Sequence, residues 1–335
     1  MTLTRVSRVS LLTITLLVGA CSSGHAPSSG PPATTVPKST IITVPESTTA
    51  AVVPSTTTTL LDLQALPGHR DEIPAGENIP CSIETDVEVV GTPLPVDGYD
   101  DRPTLIQPAP NRGAPLLVML HGQAGCVQSL QSGSDLDVIG AEAGVSVLWL
   151  SGESLQGDRS WNTTGSCCEP ASSAGVDDLS YIVDAVKAAL ATGLSPTVVL
   201  AVGLSNGAGM AITAACSRPD LFTGVVSVAG WVPVTCGSAA LSLLAVGGTE
   251  DPSLGAAMAE EVTTMWRSSV TTCSDDPVVE QVGQRTTTTW LNCDDGQSVV
   301  RLVQLEGVPH EWPKHDFYDI DDDIIRFAKG QNGKS

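Results

Sequence analysis

Three side chains in this sequence have the types that acyl-transfer chemistry requires, and each lies just past a short apolar run. Ser205 is the centre of Gly203-Leu204-Ser205-Asn206-Gly207, between TVVLAV and a helix-like segment. Asp251 lies in Gly247-Gly248-Thr249-Glu250-Asp251-Pro252, after LSLLAV. His310 lies in Gly307-Val308-Pro309-His310-Glu311-Trp312-Pro313, after SVVRLVQL. A serine hydroxyl is a poor nucleophile at neutral pH, so an imidazole must take its proton, and a carboxylate must fix the imidazole tautomer. Glycines two residues to either side of a serine suit a sharp strand-to-helix turn that strains the serine backbone. A fourth segment, His121-Gly122-Gln123-Ala124-Gly125, follows PLLVML. It is expected to supply backbone donors for a developing oxyanion. The N–H groups of Gln123 and Asn206 are the expected pair, of a kind that contributes about 2.7–4 kcal/mol each to transition-state stabilisation.

The chain has five histidines. His25 and His69 fall in a low-complexity segment, His121 reads as a structural hydrogen-bonder, and His315 reads as a surface residue at a helix start. His310 is left as the base. Glu250 is the alternative to Asp251 as the residue that orients it, but adjacent side chains point differently. Trp161 and Trp312 are candidates to line a substrate pocket, with simple packing as the competing role. Asp177-Asp178 reads as an N-cap pair.

Such residues are useful only if something converges them. Continuous apolar runs recur at 115–122, 145–151, 197–204, 224–230, 241–247 and 298–305, as expected of strands buried on both faces of a parallel sheet. Helical spacing appears between them. Leu179, Ile182, Val183, Val186 and Leu190 mark a helix over 177–191, and further helices are expected over 206–218, 255–268 and 316–329. Reactive residues of a parallel sheet sit at the C-terminal ends of its strands. The order Ser…Asp…His is that of the α/β-hydrolases. The expected fold is therefore α/β, an α/β-hydrolase with a mostly parallel central sheet and helices on both faces, over residues 76–335.

Composition fixes the surroundings. Lys and Arg number 16 against 37 Asp and Glu, a net charge of −21. A polyanion of that size repels phosphate backbones, so no nucleic-acid partner is expected. Arg5 and Arg8 precede the apolar segment 9–20, which is too short to span a bilayer comfortably, and residues 1–20 read as an export signal. Val18-Gly19-Ala20-Cys21 resembles a bacterial lipobox, which implies lipidation at Cys21 and a membrane anchor; an ordinary secretory leader is the alternative. Residues 21–75, rich in Ser, Thr and Pro, have no apolar face to bury and read as a disordered tether. The expected location is extracellular or in the cell envelope. Export makes disulfides plausible for the eight cysteines after Cys21. Cys273 with Cys293 is the first candidate pair because it brackets a strand-like stretch, and Cys216 with Cys236 is the second. The adjacent Cys167 and Cys168 bond either to each other or to two different partners. No Cys-x-x-Cys pair or His cluster points to a metal.

The segments LHGQAG (120–125), WNTTGSCCEPASSAGVDDLSYI (161–182), GLSNGAGM (203–210), RPDLFTGVVSVAG (218–230), GTEDP (248–252) and HEWP (310–313) together resemble the polyhydroxybutyrate depolymerase and feruloyl esterase family of secreted α/β-hydrolases. That resemblance, over roughly residues 85–330, implies hydrolysis of carboxylic esters by a serine esterase without a cofactor, with Ser205, Asp251 and His310 in the catalytic positions. It is compatible with a small-molecule or a polymeric ester. With no separate binding module in view, a soluble or cell-wall-associated ester is favoured over crystalline polyester. Two other readings share the sequence. One is an envelope acyltransferase using the same trio; the other is a non-catalytic lipoprotein that binds a ligand on a hydrolase scaffold.

Overall fold

The computed structural model describes residues 89–332, apart from 164–166, 234 and 292. The expected leader, Cys21, the tether and Cys81 lie outside the described residues. In chain order, β1 (Thr92–Pro93) and β2 (Thr104–Gln107) precede β3 (Leu116–Leu120), and α1 (Val127–Gly133) and α2 (Leu136–Glu142) lead to β4 (Ser146–Leu150). A small hairpin, β5 (Glu153–Leu155) with β6 (Asp158–Ser160), is followed by α3 (Ala171–Ala174) and α4 (Asp178–Ala191). Then come β7 (Val199–Leu204), α5 (Asn206–Ser217), β8 (Gly224–Val228), β9 (Ser242–Gly248) and α6 (Ala256–Ser269). The remainder is β10 (Val278–Val282), β11 (Arg285–Trp290), β12 (Val300–Leu305), β13 (Lys314–His315), β14 (Tyr318–Asp319) and α7 (Ile320–Asn332).

The main sheet runs β1-β2-β4-β3-β7-β8-β9-β12-β11-β10. Its centre, from β4 to β12, is parallel throughout. Antiparallel pairs close each side, β1–β2–β4 on one and β12–β11–β10 on the other. Each of the six apolar runs seen in the sequence is one of the parallel strands. They read as continuous because both faces are covered. In β3, Leu116, Val118 and Leu120 pack into the core shared with α4, α5 and α6, while Leu117 and Met119 face the core of α1, α2 and α7. All five residues are fully buried, and each such aliphatic side chain contributes about 1.5–3 kcal/mol through burial.

Strand order reverses beside β3. The chain leaves β3 for β4 on one side and returns to β7 on the other. At such a switch point the loops leaving adjacent strands diverge and open a crevice at their C-terminal ends. The loop after β3 carries Gln123, and the turn after β7 carries Ser205.

One helix boundary differs from expectation. The last helix starts at Ile320, not 316, because Lys314–His315 and Tyr318–Asp319 pair as a hairpin first. His315 is thus a strand residue, stacked on Phe317. Three disulfides lie among the described residues. Cys273–Cys293 sits beyond the open end of the β10–β11 hairpin, Cys216–Cys236 links the end of α5 to the loop before β9, and Cys167–Cys168 is vicinal.

Candidate active site

Ser205 occupies the turn between β7 and α5 with φ 55° and ψ −118°, a backbone region that costs a non-glycine residue strain. The flanking glycines have a measurable reason. A Cβ at Gly203 would lie 2.3 Å from the Gly207 carbonyl, and one at Gly207 would lie 2.2 Å from the Leu120 carbonyl oxygen and 2.4 Å from that of His121. The turn is therefore seated directly on the main chain of β3. The Ser205 N–H donates to Val228 O at 2.9 Å, and Ala229 N–H donates to Val246 O at 2.8 Å. These bonds tie the ends of β7, β8 and β9 into one rim.

Asp251 follows β9, and its side chain is 1% exposed. Its Oδ1 accepts the N–H groups of Ser253 and Leu254, both at 3.0 Å, and its Oδ2 is 2.6 Å from His310 Nδ1. Burial alone would push this carboxyl up, but the hydrogen bonds from Leu254, His310 and Ser253 outweigh it and hold its pKa below the ordinary aspartate value. A depressed folded pKa means that this stabilisation is present above the unfolded value and is lost as pH falls through the folded one. The bond also orients the ring: a carboxylate can only accept, so Nδ1 is the donor to Oδ2 and Nε2 is left outside this bond. Glu250 is exposed, while its N–H donates to Val308 O at 3.0 Å. Its side chain makes no bond to His310 among the described residues.

The structure thus brings Asp251 and His310 together. It places Ser205 on the same strand-end rim, with β8 between its own strand and β9. Ser205 and His310 share no hydrogen bond among the described residues; such bonds are commonly long before substrate binds. Gln123 sits in an exposed loop, and its side-chain Nε2 donates to Glu169 O at 3.2 Å. Asn206 is the first residue of α5, so its backbone N–H has no acceptor within the helix. His121 is buried, with Nδ1 2.7 Å from Gly122 O and Nε2 accepting from the Gly152 N–H at 2.8 Å. Burial lowers its pKa to about 4, so it is a neutral hydrogen-bonding post.

Both tryptophans differ from the pocket-lining role expected of them. Trp161 is fully buried, and its indole N–H donates to His121 O at 2.8 Å. Trp312 is 7% exposed, packs in the core of α7 and donates to Asp321 Oδ1 at 2.9 Å. Their aromatic bulk fills core volume, so neither ring presents a face to a ligand.

The adjacent acids Asp177 and Asp178 divide their roles. Asp177 caps α4, accepting from the Ser180 N–H at 3.0 Å. Asp178 is buried, bonded to Arg102 at 2.5 Å and to the Asn162 N–H at 2.7 Å. The Arg102 guanidinium lies over the Tyr181 ring at 3.7 Å. Asp178 lies in the WNTTGSCCEPASSAGVDDLSYI segment quoted for the family resemblance, whereas Arg102 lies in none of the quoted segments. A further signal is helical phase, which turns Asp178 inward beside Ile182.

A second buried charge cluster anchors the segment that carries His310. Lys314 Nζ bonds Asp135 and lies 3.5 Å from Asp321. Asp321 Oδ2 also accepts the Asp135 N–H at 2.7 Å. Burial first, then the Asp319 charge, push Asp321 up to about 7 against the opposing Lys314. Replacing Lys314 by methionine strips the cation from two buried carboxylates and is expected to cost about 3–5 kcal/mol of stability. The loss should be larger at pH 8 than at pH 5, because acid protonates the carboxyl whose charge the lysine balances. Urea unfolding at both pH values measures this; an equal loss at the two would exclude the charge explanation.

Among the described residues, no three His, Cys, Asp or Glu side chains gather as a metal site requires, and no helix is long and apolar enough to cross a membrane.

Residues 105–270 match the family model described as Esterase PHB depolymerase. A curated relative from Nocardia uniformis subsp. tsuyamanensis, NocK, named as an esterase, is 35% identical over 126 residues, which is 38% of this chain and 36% of that protein. The chain therefore matches little more than a third of that relative's length. Among solved structures, an acetyl xylan esterase from Aspergillus awamori superposes with a TM-score of 0.51 at 17% identity, over 69% of this chain and 94% of that one. That likeness is one of fold, the α/β-hydrolase fold.

Proposed function

We propose, from the premise that residues 105–270 belong to the Esterase PHB depolymerase family, that this protein is a serine carboxylic-ester hydrolase working through an acyl-enzyme. The observation that carries this reading is the 2.6 Å bond between Asp251 and His310, made at the strand-end rim where Ser205 stands in its strained turn. The matched segment includes Ser205 and Asp251 but ends before β12, so His310 rests on geometry.

Each residue has one task. Ser205 Oγ attacks the ester carbonyl carbon as His310 Nε2 takes its proton. The carbonyl oxygen gains the negative charge, and the N–H groups of Gln123 and Asn206 receive it. Collapse of the tetrahedral intermediate expels the alcohol, protonated by His310, and leaves an acyl ester on Ser205. Water, deprotonated by the same imidazole, releases the acid and restores the serine. Asp251 remains a carboxylate throughout and stabilises the imidazolium.

The surroundings are read in the same way. Three disulfides among the described residues fit an oxidising, extracytoplasmic location. Lipidation at Cys21 would tether the domain to a membrane; mass spectrometry of the mature N-terminus tests it.

A fluorophosphonate probe and a short-chain p-nitrophenyl ester test the activity together. The expected result is one label per chain on Ser205, with a burst of p-nitrophenol preceding the steady state. A folded protein that neither labels nor turns over belongs to the ligand-binding reading instead. Product formed mainly on an added alcohol acceptor identifies acyl transfer.

A further inference from the structure

The backbone donors assigned to the oxyanion come from two separate segments, the loop after β3 and the first turn of α5. A pair of N–H groups works only if the distance between its members is held. Trp161 touches both segments. Its main-chain N–H donates to Asn206 Oδ1 at 2.7 Å, and Asn206 Nδ2 donates back to Trp161 O at 2.9 Å. Its indole N–H reaches His121 O at 2.8 Å. Its ring packs against the His121 imidazole at a 38° tilt, with centroids 5.0 Å apart. That imidazole is in turn fixed by Gly122 O and the Gly152 N–H. Trp161, Asn206 and His121 are all 4% exposed or less, so water does not compete for these bonds.

We propose that Trp161 and the Asn206 side chain are positioning residues, a cross-brace that sets the spacing between the Gln123 and Asn206 backbone donors. The assignment rests on the ester-hydrolase reading. It gives the Asn206 carboxamide a task distinct from that of its main chain: Oδ1 and Nδ2 close a two-bond ring with the Trp161 main chain and fix the first turn of α5. The indole then carries that fixed point to the carbonyl two residues before Gln123. Side chains that merely satisfied one another in the core would stabilise the fold without affecting chemistry at an assembled site.

Turnover per labelled site separates these cases. Fluorophosphonate titration counts competent serines, and kcat is divided by that count, so unfolded molecules drop out. Asn206→Ala keeps the backbone donor and removes the ring of bonds. It is expected to lower kcat per labelled site by about 10–100-fold, with KM within about threefold. Trp161→Phe keeps the packing but loses the bond to His121 O, and is expected to lower kcat by about 3–10-fold. Inhibition by a boronic acid, whose serine adduct resembles the tetrahedral intermediate, should weaken in proportion to the fall in kcat/KM. Wild-type kcat per labelled site in either variant, even with a lowered Tm, overturns the brace; should Asn206→Ala not fold, Trp161→Phe decides alone. Failure of the underlying reading looks different: an inactive wild type, or a Ser205→Ala variant that still turns over.

Discussion

Ser205→Ala is expected to lower kcat for ester hydrolysis by about 10⁴-fold or more, with KM little changed. The size of the effect follows from the loss of the only atom that bonds to the acyl group. What remains is the rate that positioned N–H donors and binding give to attack by water. The same change should leave stability within about 0.5 kcal/mol. Alanine at φ 55° bears the same backbone strain as serine, and the Ser205 main-chain bond to Val228 O persists. Steady-state hydrolysis of a p-nitrophenyl ester, beside urea unfolding of both proteins, reads the two quantities separately. Turnover within tenfold of wild type would remove Ser205 from the mechanism. A large activity loss accompanied by a large stability loss would point to misfolding instead.

Asp251→Asn is expected to cost a comparable factor, about 10⁴ in kcat, for a reason that lies in its other partners. Oδ1 is held by the N–H groups of Ser253 and Leu254. An asparagine must keep its oxygen there, since its NH₂ would clash with two donors. The NH₂ is then turned toward His310 Nδ1, which must become an acceptor. The imidazole proton moves to Nε2, the atom that has to accept a proton from Ser205. The variant should fold, label slowly with fluorophosphonate, and show the opposite imidazole tautomer by ¹⁵N NMR. Retention of the wild-type tautomer together with near-normal kcat would show that Asp251 does not set it.

Much of this arrangement is legible in the amino-acid sequence itself. The six parallel strands announce themselves because a strand covered on both faces has no polar alternation to obscure it. The Cys273–Cys293 staple is legible because two cysteines bracket one strand-like stretch. What is not legible is everything set by tertiary context. α1 and α2 are seven residues each, too short for their periodicity to stand out. β1 is two residues long and exists only because β2 is there to receive it. Asp177 and Asp178 are identical in type, and only helical phase sends one to the cap and the other to Arg102. Trp312 stands two residues from His310, and Trp161 lies in a segment between two reactive loops; both positions suggest contact with substrate. Depth in the core cannot be read from position along the chain, and the structure turns both rings into anchors.

The sheet order also has a consequence for when the protein becomes competent. His310 is delivered by β12, the final strand to enter the sheet in chain order, and β12 slots between β9 and β11. Ser205 and Asp251 precede the proposed proton acceptor along the chain, and β12 must join the sheet before His310 can meet Asp251. On the serine mechanism proposed above, a polypeptide that ends before β12 has a nucleophile without a base. On that mechanism, products truncated before β12 are expected to be silent toward esters.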